Sequence, residues 1–284
     1  MEERGRLILV GTPIGNLEDI TLRALRALRE ADVIAAEDTR TTRKLLARYD
    51  IHAPLLSYCG ERERERSREV VRLVQEGKSV ALVSESGMPG VSDPGWLAVR
   101  ACREEGLRVE VVPGPSALTA ALSLAGLPPG PVRFHGFLPS RPAARRRLLR
   151  ELSGRPEAQV LYESPHRLRA CLADMAEALG ERKVILLREL TKLHEEVREG
   201  RAADLLKMMG EERPRGECVL VVWPLENGGQ SLTDWEALVE EVREGVKRGL
   251  ALSEACRRTA AERGVSRREL YERCLRFSAE MTSG

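Results

Sequence analysis

The stretch SVALVSESGMPGVSDPGWLAVRACREE, residues 79–105, decides the fold. A short apolar run gives way to a loop with glycines at 87, 90 and 95 and prolines at 89 and 94, then to an amphipathic segment of helical length. Strand, loop and helix in that order form the unit of a parallel, helix-flanked sheet, whose ligands lie beyond the carboxyl ends of its strands. The loop carries no lysine or arginine and matches neither GxGxxG nor GxxxxGK[ST], so a ligand wrapped by it is not expected to be held by phosphates. Asp93 and Pro94 are expected to cap and open the helix.

The same unit recurs along the first half of the chain. Strands are predicted over 7–10, 33–36, 79–83 and 108–112, with helices over 19–30, 41–48, 61–76, 94–105 and 116–125. Two further Gly/Pro loops, in GTPIGNLEDITLRAL and VVPGPSALTAAL, join a strand to a helix at the same edge of the sheet. Their small residues allow a backbone to approach a ligand closely. Any one such loop is equally a tight connection in an α/β sheet; three together describe a neutral or slightly acidic cleft.

GLPPGPVRF, residues 126–134, interrupts the alternation and marks a boundary. A second α/β domain follows, with strands expected over 132–137, 159–162, 184–188, 194–199 and 218–223 and helices over 142–152, 165–179 and 202–209. RELTKLHEEVREG (188–200) leaves little room for a crossover helix, so this sheet is expected to be mixed. Beyond ENGGQSLTD (226–234) the chain reads as three helices, 235–248, 253–263 and 267–278. In AAERGVSRRELYERC a glycine ends one helix and a serine caps the next, the grammar of a helix-turn-helix or of an ordinary helical hairpin. The expected division is 1–126, 131–225 and 231–284.

Composition narrows the function. Among 284 residues, 42% are hydrophobic, 32% charged and the formal net charge is +2, so nucleic acid would have to be met by local patches. Ser140 to Arg155 holds six arginines against one glutamate, and Gly245 to Gly284 nine basic residues against five glutamates. Either patch is equally a solvated helix face. Six scattered cysteines without metal-ligand spacing fit a reducing cytoplasm, and neither a signal peptide nor a membrane span is expected.

Taken in order, LVGTPIGNLEDIT, EDTRTTRKLL, SESGMPGVSDPG, VPGPSALTAAL, HGFLP, YESPHRL and RELTKLHEE resemble the tetrapyrrole methylase family of S-adenosylmethionine-dependent methyltransferases. The resemblance is strongest to its branch that methylates a cytidine 2′-hydroxyl in small-subunit (16S) ribosomal RNA. Tetrapyrrole-modifying relatives typically carry GDP where this chain has Gly87, Met88 and Pro89, a departure that argues against a tetrapyrrole substrate.

The resemblance implies a two-domain fold with the cofactor between the domains. It would touch Pro13, the loop of Gly87, Met88, Pro89, Gly90, Val91, Ser92 and Asp93, then Ser116 and Ala117, and Tyr162, Glu189, Leu190 and Cys218. A homodimer is also implied, with small-subunit RNA or the 30S subunit as partner and no metal or membrane. A ribose hydroxyl needs a general base; Asp38 and Lys192 are the first candidates, Glu163 and His166 the next. Arg40, Arg43, Arg145, Arg146, Arg147, Arg267 and Arg268 would hold RNA phosphates. The alternatives are a small-molecule, tetrapyrrole-type methyltransferase and a non-catalytic RNA-binding assembly factor.

Overall fold

The computed structural model describes residues 5–210, 216–225, 235–263 and 265–280. It divides into two compact units, Met1–Leu225 and Glu226–Gly284.

The first unit opens with β1 (Arg6–Val10), α1 (Leu22–Glu30), β2 (Val33–Ala36), α2 (Thr39–Arg48), β3 (Leu55–Ser57), α3 (Glu63–Gln75), β4 (Ser79–Val83), α4 (Trp96–Glu104), β5 (Arg108–Val112) and α5 (Ala117–Ala125). The strands lie in the order β3-β2-β4-β1-β5, all parallel. Strand β4 reads as an unbroken apolar run because it is buried on both faces. Leu28, Ile34 and Leu46 pack on one side of the sheet, and Val70, Leu73 and Cys102 on the other. The edge strand β3 was not foreseen: three partly exposed residues carry no readable period.

The second sheet is mixed, as expected. It comprises β6 (Val132–Phe137), β7 (Ala158–Glu163), β8 (Lys183–Arg188), β9 (Glu196–Arg201) and β10 (Cys218–Val222), in the order β6-β7-β10-β8-β9. Only β6 and β7 run parallel; β8 and β9 form an antiparallel hairpin. Helices α6 (Pro142–Ser153), α7 (Pro165–Leu179) and α8 (Ala202–Met208) cover one face. On the other face, Ala121 and Ala125 of α5 pack against Val160, Ile185 and Val221. Helix α5, which follows β5 of the first sheet, thus packs on the second sheet, with Ile14 from the loop after β1 in the same cluster.

The second unit contains α9 (Trp235–Lys247), α10 (Leu252–Arg263) and α11 (Arg267–Glu280) around Leu238, Val242, Cys256, Leu270 and Cys274. Ser266 caps α11, its Oγ accepting the Glu269 N–H at 3.3 Å. Gly264, the expected helix terminator, lies outside the described residues.

The start of α4 corrects the sequence reading. The helix begins at Trp96 with Gly95, φ +142°, in the cap position, so Asp93 and Pro94 stand in the loop before it.

Candidate functional site

The floor of the site is main chain. Loops leave the carboxyl ends of the adjacent strands β4, β1 and β5, and the first two are sewn together: Thr12 N–H donates to Gly87 O at 2.9 Å and Gly87 N–H to Thr12 O at 3.1 Å. The Ser84 hydroxyl adds a bond to Gly87 O at 3.2 Å. Gly11 lies against Gly114 so closely that a Cβ on Gly11 would stand 2.7 Å from both Gly114 Cα and Met88 Sδ. The small residues therefore let the loops approach one another.

The second sheet supplies the opposite wall. Tyr162 and Glu163 end β7, Cys218 and Val219 begin β10, and Phe137 ends β6; with the loops they enclose a cleft of about 810 Å3, open mouth included. Strand β6 bulges between Phe134 and Phe137, with Gly136 at φ +64°, and leaves Phe137 56% exposed. The Phe137 ring meets Tyr162 edge-on at 5.6 Å, and Phe134 meets Tyr162 at 4.9 Å. Arg167 anchors this wall: it grips Glu163 at 2.7 and 2.9 Å and donates to Leu138 O at 2.7 Å.

The cleft is acidic. Among the described residues lining it, Asp93, Glu163 and Glu217 are carboxylic acids and none is lysine or arginine. Burial, reinforced by the charges of Glu37, Glu85 and Glu217, pushes Asp93 up to about 7. Burial likewise raises Glu37. It pushes the Cys218 thiol up to about 12, so this cysteine is a neutral wall residue and not a nucleophile.

Of the residues implied for the cofactor, Gly87, Met88, Val91, Asp93, Ser116, Ala117, Tyr162 and Cys218 line the cleft. Pro13 does not, but its neighbour Ile14 does. Pro89 and Gly90 face a separate groove beside Trp96 and Arg100. Ser92, at φ +67°, sits against Gly136, and Leu190 is buried in the core. Glu189, at φ +50°, does not line the cleft; its carboxylate accepts the N–H of Glu217, which does, at 3.2 Å. Sequence reasoning missed Ser86, Phe137, Ser164, Pro165, Glu217 and Val219. Phe137 follows a bulge glycine in HGFLP, the one signal that set it apart.

The four candidate bases fare differently. Asp38 caps α2, accepting the Arg40 N–H at 2.7 Å, and pairs with the Arg40 guanidinium at 2.9 Å. Those bonds hold its carboxyl down at about 2, where it is a feeble base. Lys192 reaches Glu189 at 2.9 Å and Glu217 at 3.5 Å. Burial alone would lower its pKa, but the hydrogen bonds and the two negative charges outweigh it and hold the ammonium above its ordinary range. Lys192 would serve as a base only with its ammonium desolvated and neutral, and these partners keep it charged. Glu163 is committed to Arg167 and to the Ser164 N–H at 2.8 Å. His166 is exposed on the first turn of α7 and does not line the cleft.

The arginines divide as well. Arg145 is 4% exposed and bound to Asp174 at 2.7 Å, so it is a core residue and its assignment to RNA is withdrawn. Arg146 and Arg147 on the same helix are solvent-facing, as are Arg40, Arg43, Arg267 and Arg268. Among the described residues no cluster of His, Cys, Asp or Glu is arranged to hold a metal ion, and no helix is long and apolar enough to cross a membrane.

Residues 6–206 match the family model described as Tetrapyrrole (Corrin/Porphyrin) Methylases. The chain is 49% identical over 218 residues to ribosomal RNA small subunit methyltransferase I of Thermotoga maritima, a match covering 77% of this chain and 98% of that protein. It is 41% identical over 276 residues to the protein of the same name from Halalkalibacterium halodurans, covering 95% and 94%. Among solved structures it is similar to uroporphyrin-III-C-methyltransferase from Thermus thermophilus, at 30% identity and a TM-score of 0.55, covering 78% of this chain and 94% of that one.

Proposed function

The chain belongs to the tetrapyrrole (corrin/porphyrin) methylase family, and from that premise we propose that it methylates a cytidine 2′-hydroxyl of small-subunit (16S) ribosomal RNA with S-adenosylmethionine. The reading rests on one observation: an acidic, aromatic cleft without basic side chains, in a chain whose solvent-facing arginines lie outside that cleft.

The donor set fits the cofactor. A sulfonium compound has no phosphate to neutralise and carries a positive charge, which Asp93 and Glu217 complement. Main-chain groups around Gly87 and Met88, the hydroxyls of Ser116 and Tyr162, and the small side chain of Ala117 would hold its polar and flat parts. When bound, it supplies an electrophilic methyl group. The protein's part is orientation and proton removal: Phe137 and Tyr162 wall off water, and alignment in such a cleft contributes several kcal/mol.

Phosphates are held outside. Arg40, Arg43, Arg146, Arg147, Arg267 and Arg268 would bind the RNA backbone, so that the ribose alone enters the acidic space. In this proposal residues 1–126 and 131–225 form the two halves of the active unit and 231–284 a helical extension. The protein acts as a cytoplasmic homodimer.

The test is transfer of labelled methyl from S-adenosylmethionine to undermethylated small subunits or free 16S RNA, with the product cytidine identified after nuclease digestion. Label in a cytidine ribose is expected. No transfer to either RNA overturns the proposal, and label in a tetrapyrrole supplied instead would replace it.

A further inference from the structure

We infer that Asp93 is the general base that takes the proton from the ribose hydroxyl, an assignment that rests on the function proposed above for this cleft. Its first support is elimination by geometry. Glu163, within the cleft, is locked to Arg167, and Glu217 at its rim is paired with Lys192. Asp38 is consumed by Arg40, and His166 lies outside. Asp93 is the cleft carboxylate with no cation among the groups acting on it.

The second support is the way the loop presents it. A Ser-Asp-Pro-Gly run before a helix would ordinarily spend its aspartate on the helix cap. Here Gly95 occupies the cap position, and Glu63 of α3 accepts the Gly95 N–H at 2.8 Å. The Gly90 N–H closes the loop onto Pro94 O at 3.2 Å, and Ser92 takes a left-handed conformation at φ +67°. Strain of this kind persists where surrounding structure enforces it. The result is a carboxylate relieved of capping and turned to the cleft wall beside Tyr162 and Ser116.

The third support is electrostatic. The charged and titratable groups around Asp93 are Glu37 beyond β2, Glu85 in its own loop, Glu217 before β10 and the neutral phenol of Tyr162. Burial and like charges make it a far stronger base than an ordinary carboxylate, matched to neutral pH. In the step, the ribose O–H bond breaks and its proton passes to a carboxylate oxygen of Asp93. The hydroxyl oxygen's electron pair forms the bond to the methyl carbon, and the pair of the broken carbon–sulfur bond stays on sulfur.

The test compares the full-length protein with Asp93→Asn on undermethylated small subunits. Turnover is expected to fall by roughly 10²- to 10⁴-fold, with a much smaller change in cofactor affinity by calorimetry. The acid limb of the parent's kcat/KM profile, near pH 7, is expected to vanish in the variant. A readout independent of turnover is thermal stability against pH. A raised carboxyl stabilises the fold below its ordinary pKa and loses that contribution as pH rises through about 7. Asp93→Asn is therefore expected to gain on the parent from pH 4 to pH 7 and to hold that gain above.

Turnover within about tenfold of the parent, survival of the acid limb in the variant, or a loss of cofactor affinity equal to the loss of turnover would each overturn the assignment. A parent that labels no RNA overturns the function itself and the base with it. A parent and variant that label RNA equally overturn the base alone.

Discussion

Glu63 Oε1 accepts the main-chain N–H of Gly95 at 2.8 Å, a bond across 32 residues that ties α3 to the start of α4. It fixes the residue in the cap position by that residue's own N–H, while no side chain caps the first turn of α4 itself. Glu63→Ala leaves that N–H without its carboxylate, and a loss of about 1–3 kcal/mol is expected in urea denaturation. Turnover should fall as well, since the loop bearing Asp93 loses its anchor.

Gly11 and Gly114 meet backbone to backbone. In Gly11→Ala the new Cβ would lie 2.7 Å from Gly114 Cα, and neither loop has a flexible side chain at that contact to give way. Overpacking of this kind costs about 1–3 kcal/mol. Calorimetry should show cofactor affinity weakened by at least about tenfold, because the two loops that flank Met88 are forced apart.

Neighbouring arginines on α6 should behave in opposite ways. Arg145→Ala leaves Asp174 without its buried partner, and removing one member of such a pair costs about 3–5 kcal/mol. Arg147 is largely exposed, with Glu151 3.8 Å away. Arg147→Ala should leave stability within about 0.5 kcal/mol of the parent and reduce the salt dependence of RNA binding by about one phosphate's worth. Filter binding at several salt concentrations measures the slope.

Asp38→Asn separates capping from charge. The parent carboxyl is held at about 2, chiefly by hydrogen bonds from Arg40. Its stabilising contribution is present above the ordinary carboxylate range and disappears as pH falls toward 2. Acid unfolding between pH 4 and 2 is expected to be less steep in the variant, whose amide still caps α2. The kcat/KM profile near pH 7 should not move, whereas it would if Asp38 took the ribose proton.

Phe137 presents a half-exposed ring fixed edge-on to Tyr162. Stacking of a nucleic-acid base on such a ring contributes about 1–3 kcal/mol. Phe137→Ala is expected to lower kcat/KM for RNA by roughly 5- to 150-fold with cofactor affinity little changed, and Phe137→Tyr to restore it. Steady-state kinetics with calorimetry distinguishes this from a ring that serves the cofactor.

The elements legible in the sequence were those whose signal is local. Val33–Ala36 and Ser79–Val83 stand out as apolar runs between turn residues, and both are strands to the residue. Leu55–Ser57 is too short and too exposed to show a period. Gly87, Ser116 and Tyr162, which only the family resemblance implied, all line the cleft. What local pattern missed depends on partners far along the chain. Arg145 looked like one arginine of a solvated patch because Asp174, 29 residues on, could not be seen to claim it. Asp93 looked like a cap because the later start of α4, with Gly95 in the cap position and held by Glu63, could not be seen.

The main-chain floor has a further consequence for how such a protein can change. Thr12 and Gly87 join through backbone atoms, and Gly11 and Gly114 touch without side chains. In the proposed function the cofactor's half of the cleft is thus specified by small residues at a few positions, while Phe137, Tyr162 and the rim belong to a different sheet. Substitutions in that second sheet can redraw what is admitted for reaction and leave the methyl donor's seat untouched. A lineage built this way is free to explore new acceptors one wall at a time.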